Sequence, residues 1–395
     1  MKNKIVTFVF ALLLIASAVL FAMPPDTESF KHENRNPAAL PEFSEESFFS
    51  GNFSTQFENY VNDNISYRSE FVKLGNYISK NKGITPPSGR IVYTNKDIGT
   101  KTVKKACMLI VDGKIMEVFR KNPDSEKKYA DAINKISSSI SEKINVYSAL
   151  VPTQLEFCDK LYSGIQTGQK QTIDEIYSML NPRVKTVDIY SALQNHTDEY
   201  IYFRTDHHWT MLGAYYGYSA FMKAQNLPPA NISDFEKHSI NGMLGYLYEQ
   251  SPDSEAAKNP DTLEWYDTRK GNDIDVSMES INKNGSVRKY TSPMFDTTKK
   301  NYSFFFSADH PYTHIENKKI LNKKTLLVIK DSYASDFVPW CVNNYSDIIM
   351  IDPRTYKENL RDVFKQIQID DVLILNYIFT TSFEDYCDIM SNMFK

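Results

Sequence analysis

The sequence predicts an α/β protein: a three-layer sandwich in which helices cover both faces of a parallel sheet. Two observations carry this. Apolar strand-like runs alternate with helix-period segments over residues 125–225 and again over 325–394. The strand runs are also apolar without a break, as in Leu326-Leu327-Val328-Ile329, which suits strands buried on both faces. A polar stretch over 228–323, rich in Gly, Asn, Asp and Pro, interrupts the rhythm. It is too long for a bare loop and is expected to form an inserted mixed α/β lobe.

The chain has 395 residues, with Lys+Arg 45 against Asp+Glu 49 and a formal net charge of −4. Hydrophobic residues make up 42% and charged residues 24%, which excludes bulk disorder and a multi-span membrane protein. The near-neutral balance argues against nucleic acid as a partner, because phosphate binding leaves a basic footprint. Cys107, Cys158, Cys341 and Cys387 form no C-x-x-C pair and read as buried thiols, with room for one bridge.

At the N-terminus, Lys2 and Lys4 precede an uncharged, mostly apolar run of 19 residues, 5–23, closed by Pro24-Pro25. A basic flank before such a run reads as an export signal, cleaved or retained as a signal-anchor. The expected divisions are 1–25 for this segment, 26–45 for a linker, 46–227 and 324–395 for the two parts of the sheet domain, and 228–323 for the lobe. The bulk of the chain is then extracytoplasmic.

Taken in order, 46–82 has helical periodicity through Phe53, Phe57, Tyr60 and Val61, and Pro86-Pro87 follows its end. Strands are expected at 90–93, 107–111 and 115–119, with Asp112-Gly113 as a hairpin turn. Then come helix 125–141, strand 144–151, helix 173–180, strand 184–189 and helix 210–225. After the polar stretch come strand 325–329, helix 337–343, strand 348–351, helix 360–367, strand 372–375 and helix 383–394.

In open parallel sheets, ligands bind beyond the carboxyl ends of the strands. Strand 325–329 runs into Lys330-Asp331-Ser332-Tyr333-Ala334. A serine at such a turn presents its hydroxyl at the sheet edge, although Asp331 and Ser332 would serve equally as helix caps. Strand 348–351 runs into Asp352-Pro353-Arg354, where the guanidinium can clamp an anion or a carbonyl. Strand 372–375 runs into Asn376, a donor for an oxyanion or a turn residue. The segment Arg204-Thr205-Asp206-His207-His208-Trp209-Thr210 supplies what a serine nucleophile needs, an imidazole base and a carboxylate to orient it. Thr205 or Asp206 could instead cap the following helix. A metal reading wants paired ligands at helical spacing or a Cys pair, and neither occurs. The nucleophile elbow G-x-S-x-G, the Walker A loop and the dinucleotide fingerprint are also absent.

Asp206-His207-His208-Trp209, with Lys330-Asp331-Ser332-Tyr333 and Asp352-Pro353-Arg354 downstream, resembles the DHHW family of exported bacterial proteins. That family is similar to the SGNH-like alginate O-acetyltransferases, whose fold is a circular permutation of the flavodoxin-like SGNH hydrolases. The resemblance runs over roughly 50–395, and includes 242–248 and Asp309-His310. It implies Ser332 as nucleophile, His208 as base and Asp206 as its orienting acid. It implies Ser332 N–H with Asn376 or Asn317 as oxyanion donors, and Arg354, Tyr333 and Trp209 as further substrate contacts.

The resemblance also implies O-acetyl transfer to, or acetylester hydrolysis on, a cell-surface or secreted polysaccharide. A membrane-bound O-acyltransferase would act as acetyl donor, with no cofactor and no metal. The alternative is a non-catalytic polysaccharide-binding or envelope or spore assembly protein on the same scaffold. Three departures stand out: Lys330 where SGNH proteins have Gly, Ala334 where they have a second Ser, and no Gly after strand 348–351.

Overall fold

Apolar alternation fixes the centre of the molecule. The computed structural model describes residues 38–49, 52–67, 90–93 and 107–394 apart from 159–162 and 282–285, with a few isolated positions before residue 75. Most of the export segment 1–25, of the linker 26–45 and of 68–89 lies outside the described residues. Among the described residues no helix is long and apolar enough to cross a membrane.

In chain order the elements are α1 (Glu45–Phe49), α2 (Asn52–Asn64), β1 (Arg90–Tyr93), β2 (Cys107–Val111), β3 (Lys114–Glu117), α3 (Pro123–Ser139), β4 (Asn145–Val151), α4 (Gln169–Ser178), β5 (Val184–Thr186), α5 (Ile189–Gln194) and α6 (Met211–Ala224). There follow β6 (Lys237–Met243), α7 (Tyr246–Gln250), α8 (Ser254–Lys258), β7 (Asp261–Tyr266), β8 (Ile274–Ile281), β9 (Val287–Thr291) and β10 (Tyr312–Asn317). The chain closes with β11 (Thr325–Lys330), α9 (Ala334–Cys341), β12 (Asp347–Ile351), α10 (Leu360–Gln366), β13 (Asp371–Tyr377) and α11 (Glu384–Ser391).

The main sheet has the order β5-β4-β13-β11-β12-β10-β8-β9. From β5 to β12 every pairing is parallel; from β12 to β9 every pairing is antiparallel. Alternate residues of the parallel strands feed two cores. Tyr147, Ala149, Leu326, Val328, Leu373, Leu375, Ile348 and Met350 face α5, α6 and α9. Val146, Leu150, Leu327, Ile329, Val372, Ile374, Ile349 and Ile351 face α3, α4, α10 and α11. Both faces are therefore buried, which gives the expected three layers.

Three local expectations change. Residues 184–189 hold a shorter strand, because Asp188 accepts a hydrogen bond from the Ser191 N–H and so caps α5. Residues 228–323 divide between two places. Among the described residues β6 and β7 pair only with each other, while β8, β9 and β10 extend the main sheet as antiparallel strands. The helical pattern expected over 46–82 is seen as α1 and α2 where it is described, and α2 ends at Asn64 ahead of a turn at 65–67.

Helix α6 approaches the chain closely at Gly213, where a Cβ would stand 2.3 Å from the Ile201 carbonyl oxygen. An ordinary Gly→Ala change inside a helix gains up to about 1 kcal/mol. Here the obstacle is backbone, so overpacking of about 1–3 kcal/mol outweighs that gain. Gly213→Ala should therefore lower unfolding stability, measured by urea titration; a stabilised variant would contradict the close approach.

Candidate active site

Residues 201–210 make a tight turn-back ahead of α6. Tyr202 bridges Trp209, Phe203 N–H donates to the His208 carbonyl, and Thr210 N–H donates to that of Ile201. Thr210 then caps α6 by accepting from Gly213 N–H. The buried Asp261 carboxylate fixes the start of the turn. It accepts from Arg204 N–H at 2.7 Å, Thr205 N–H at 2.8 Å, Thr205 Oγ1 at 2.5 Å and the Tyr200 hydroxyl. Thr205 Oγ1 in turn accepts from Gly245 N–H at 2.8 Å. Gly245 leaves room for the carboxylate that follows: a Cβ there would lie 2.4 Å from the Asp206 Cβ.

On this turn Asp206 and His208 meet. The His208 Nδ1 edge lies 2.6 Å from Asp206 Oδ1, and His208 N–H donates to the same oxygen at 3.1 Å. Asp206 Oδ2 accepts from Tyr246 N–H at 2.8 Å. Burial pushes the Asp206 carboxyl up, but the charge and hydrogen bond of His208, with His207 nearby, bring it down to about 2. On the far side of the ring, His208 Nε2 stands 2.7 Å from Ser332 Oγ. With Nδ1–H donated to Asp206, Nε2 is the acceptor for the serine hydroxyl proton.

Ser332 begins the turn between β11 and α9. The preceding Asp331 is buried and accepts from Tyr333 N–H at 2.9 Å, Tyr377 N–H at 2.9 Å and Asn376 Nδ2 at 3.2 Å. Burial outweighs these bonds and pushes its carboxyl up to about 6. The Ser332 N–H has no hydrogen-bond partner among the described residues.

Trp209 and Tyr333 tie the two segments together. Trp209 Nε1 donates to the Tyr333 carbonyl at 3.0 Å and to Asp336 Oδ1 at 2.6 Å, and the Tyr333 hydroxyl donates to the His207 carbonyl. Both rings are fully buried, so neither is a substrate contact, contrary to expectation.

The two asparagines also need correction as oxyanion donors. Asn376 is buried, and its Nδ2 donates to Asp331 and, at 2.7 Å, to the Tyr386 hydroxyl, so both donors are used. Asn317 closes β10, which runs antiparallel to β12. Glu316 pairs with Asp347, the first residue of β12, so Asn317 stands at the opposite end of the sheet from Ser332. Its amide donates there to Asn272 and to the Val342 carbonyl.

Arg354 does lie near the serine. Its charge acts on Asp331, the residue before Ser332, and it shares Asp309 with Lys330. Its Nε and Nη2 face Asp352, at 2.9 Å and 2.5 Å, and Nη2 also reaches Asp309 at 2.8 Å. Nη1 has no partner among the described residues, and the side chain is 42% exposed. Asp309 completes the chain of charges by accepting from Lys330 at 2.5 Å, whose side chain is only 2% exposed. Burial pushes the Asp309 carboxyl up, but the Lys330 and Arg354 charges hold it well below the usual carboxylate range.

Asp206, His207 and His208 are near enough together to surround a cation, but both His208 nitrogens are committed to Asp206 and Ser332. Asp261, Gly245 and Tyr302, whose ring lies on His208, were not singled out from the sequence. Only Gly245 lay in a stretch, 242–248, that the family resemblance marked.

The three-layer sheet is an SGNH-like α/β fold, with Ser332 just beyond the end of a strand and in line with His208 and Asp206. The chain belongs to the DHHW family, whose profile, described as DHHW protein, matches residues 92–351. It is similar to a DHHW family protein of Eubacterium siraeum, at 25% identity over 78% of this chain and 100% of that one, with a TM-score of 0.66. Bacillus cereus PatB1 with a sulfonyl adduct is similar at 21% identity, over 73% and 99% of the two chains, with a TM-score of 0.62. A second PatB1 structure gives 24% identity, 70% and 97% coverage, and a TM-score of 0.59. No curated protein matches the sequence.

The lowered Asp206 carboxyl makes stability depend on pH in a stated direction. A carboxyl at about 2 in the folded chain and near 3.8 when unfolded stabilises fully above about pH 4 and loses that contribution as pH falls through 2. Asp206→Asn should cost about 2–3 kcal/mol at pH 7 and about half as much at pH 3. Urea unfolding of both proteins at the two pH values tests this; an equal gap at both would contradict it.

Proposed function

We propose that the chain is a serine O-acetyltransferase or acetylesterase acting outside the cytoplasm on a cell-surface or secreted polysaccharide. The observation that carries the reading is the His208 ring, held 2.6 Å from Asp206 and 2.7 Å from Ser332. Membership of the DHHW family and its resemblance to SGNH-like O-acetyltransferases support the acetyl group and the polysaccharide. The apolar run behind Lys2 and Lys4 supports export, with the segment either cleaved or kept as a membrane anchor.

In this reading Ser332 Oγ attacks an acetyl ester carbonyl while its proton passes to His208 Nε2. The imidazolium returns that proton to the departing oxygen, leaving an acetyl-Ser332 ester. An acceptor hydroxyl, of a sugar or of water, then gives its proton to His208 and takes the acetyl group. Asp206 keeps Nδ1–H in place and stabilises the charged ring. The oxyanion is met by Ser332 N–H and by the open Nη1 of Arg354, in place of the glycine donor of SGNH proteins. For transfer to a sugar, a membrane-bound O-acyltransferase supplies the acetyl group; hydrolysis needs no such partner.

A fluorophosphonate probe should label wild-type protein at Ser332, and 4-nitrophenyl acetate should release acetate. Both reactions should vanish in Ser332→Ala and His208→Ala. A wild-type protein inert to both reagents would sink the catalytic reading and favour a binding protein. Arg354→Ala should lower kcat/KM for 4-nitrophenyl acetate by about 10²–10³-fold, the usual effect of losing one oxyanion donor. A change under twofold would remove Arg354 from that role.

A further inference from the structure

We propose that Tyr302 is a positioning residue that holds the His208 imidazole between Asp206 and Ser332 and favours its charged form. The inference deepens the acyl-transfer reading and rests on it for its role in the reaction, but its geometry stands apart. The Tyr302 ring lies flat on the His208 ring, with centroids 3.5 Å apart and planes 3° from parallel. The Tyr302 hydroxyl donates to the Ser332 carbonyl oxygen at 2.9 Å. One side chain therefore touches both the base and the backbone of the nucleophile.

Tyr302 is itself held from several sides. It opens a 3-10 turn, Tyr302–Phe304, whose start is capped by Asn301 accepting from Ser303 N–H. Phe203 meets its ring edge-on at 6.4 Å and Phe305 packs at 5.4 Å. Beyond it, Phe306 and Ser307 adopt φ of 56° and 64°, a region that residues with a side chain enter only under constraint. The loop is then stapled by Asp309, which pairs with Lys330 and Arg354 on either side of the serine turn. Residues 301–310 thus press an aromatic face onto the base and are anchored beside the nucleophile.

The physical effect follows from the face of the ring. An aromatic face carries partial negative charge and attracts a cation above it, most strongly where water is excluded. His208 becomes that cation when it takes the Ser332 proton. Other groups also face it. Asp206 favours its charge on the Nδ1 edge, and His207 lies with its ring 3.9 Å away. The Tyr333 ring is at 5.0 Å, and Asp309 contributes charge already countered by Lys330 and Arg354. Asp336, which accepts from Trp209 Nε1, has its carboxyl pushed well up by burial. Of these, Tyr302 is the group that covers the ring face in parallel.

The test is an NMR titration of His208 in the full chain with labelled histidines, assigned by its loss in His208→Ala. Tyr302→Leu should lower the His208 midpoint by about 1 pH unit, while Tyr302→Phe, which keeps the stack, should stay within about 0.3. The rate of fluorophosphonate labelling should follow the same midpoints. An unchanged midpoint in a folded Tyr302→Leu would overturn the proposal. Wild-type His208 offers a check that needs no variant: its ring protons should sit upfield under the Tyr302 ring current, and ordinary shifts would also overturn it. Failure of wild-type labelling beside the expected titration would reject the acyl-transfer reading and leave the stack intact.

Discussion

The site depends on one reciprocal tie. Trp209 donates to the Tyr333 carbonyl and to Asp336, and Tyr333 donates back to the His207 carbonyl. These bonds join two segments whose partners are separated by 124 and 126 positions in the chain. They are buried, so losing one would strand polar groups away from water, at about 1–3 kcal/mol each. The imidazole–serine distance is a consequence of this tie. The loop carries His208, the turn carries Ser332, and the two aromatic side chains fix one against the other.

Charge is treated differently at the next position out. Lys330 stands where SGNH proteins carry glycine, and its ammonium is buried against Asp309. A lone buried ammonium would cost several kcal/mol, and a paired one roughly breaks even. The pair therefore says little about net stability and more about geometry. Asp309 bridges Lys330 to Arg354, Asp352 takes the other edge of the guanidinium, and Nη1 is left facing elsewhere. The missing glycine and the added arginine form one arrangement.

How much of this was legible in the sequence follows from the range of each interaction. The parallel strands were readable because Leu326 to Ile329 and their counterparts are buried on both faces, and that shows in unbroken apolar runs. Asp206, His208 and Ser332 were readable because they sit on short segments next to strongly patterned elements. Asn317 misled because the direction of a strand is not written in its residues. Asn376 misled because its buried partners, Tyr129, Tyr386 and Asp331, come from three separate parts of the chain. Tyr302 and Asp261 lie in the polar stretch 228–323, where local patterning is weak and only tertiary contact shows what they hold.

The position of β13 has a further consequence for how the chain reaches this state. It follows β4 and β11 in the sequence, yet it lies between them. Until residues 371–377 arrive, the early strands and the serine strand present unpaired edges to each other across an empty slot. The sheet therefore cannot be completed from the N-terminus as it is synthesised. It closes late, by insertion of a central strand, and the contacts so formed are of long sequence separation and slow to find. A nascent chain of this design stays unlocked until β13 has emerged, and Ser332 acquires its surroundings only at that step.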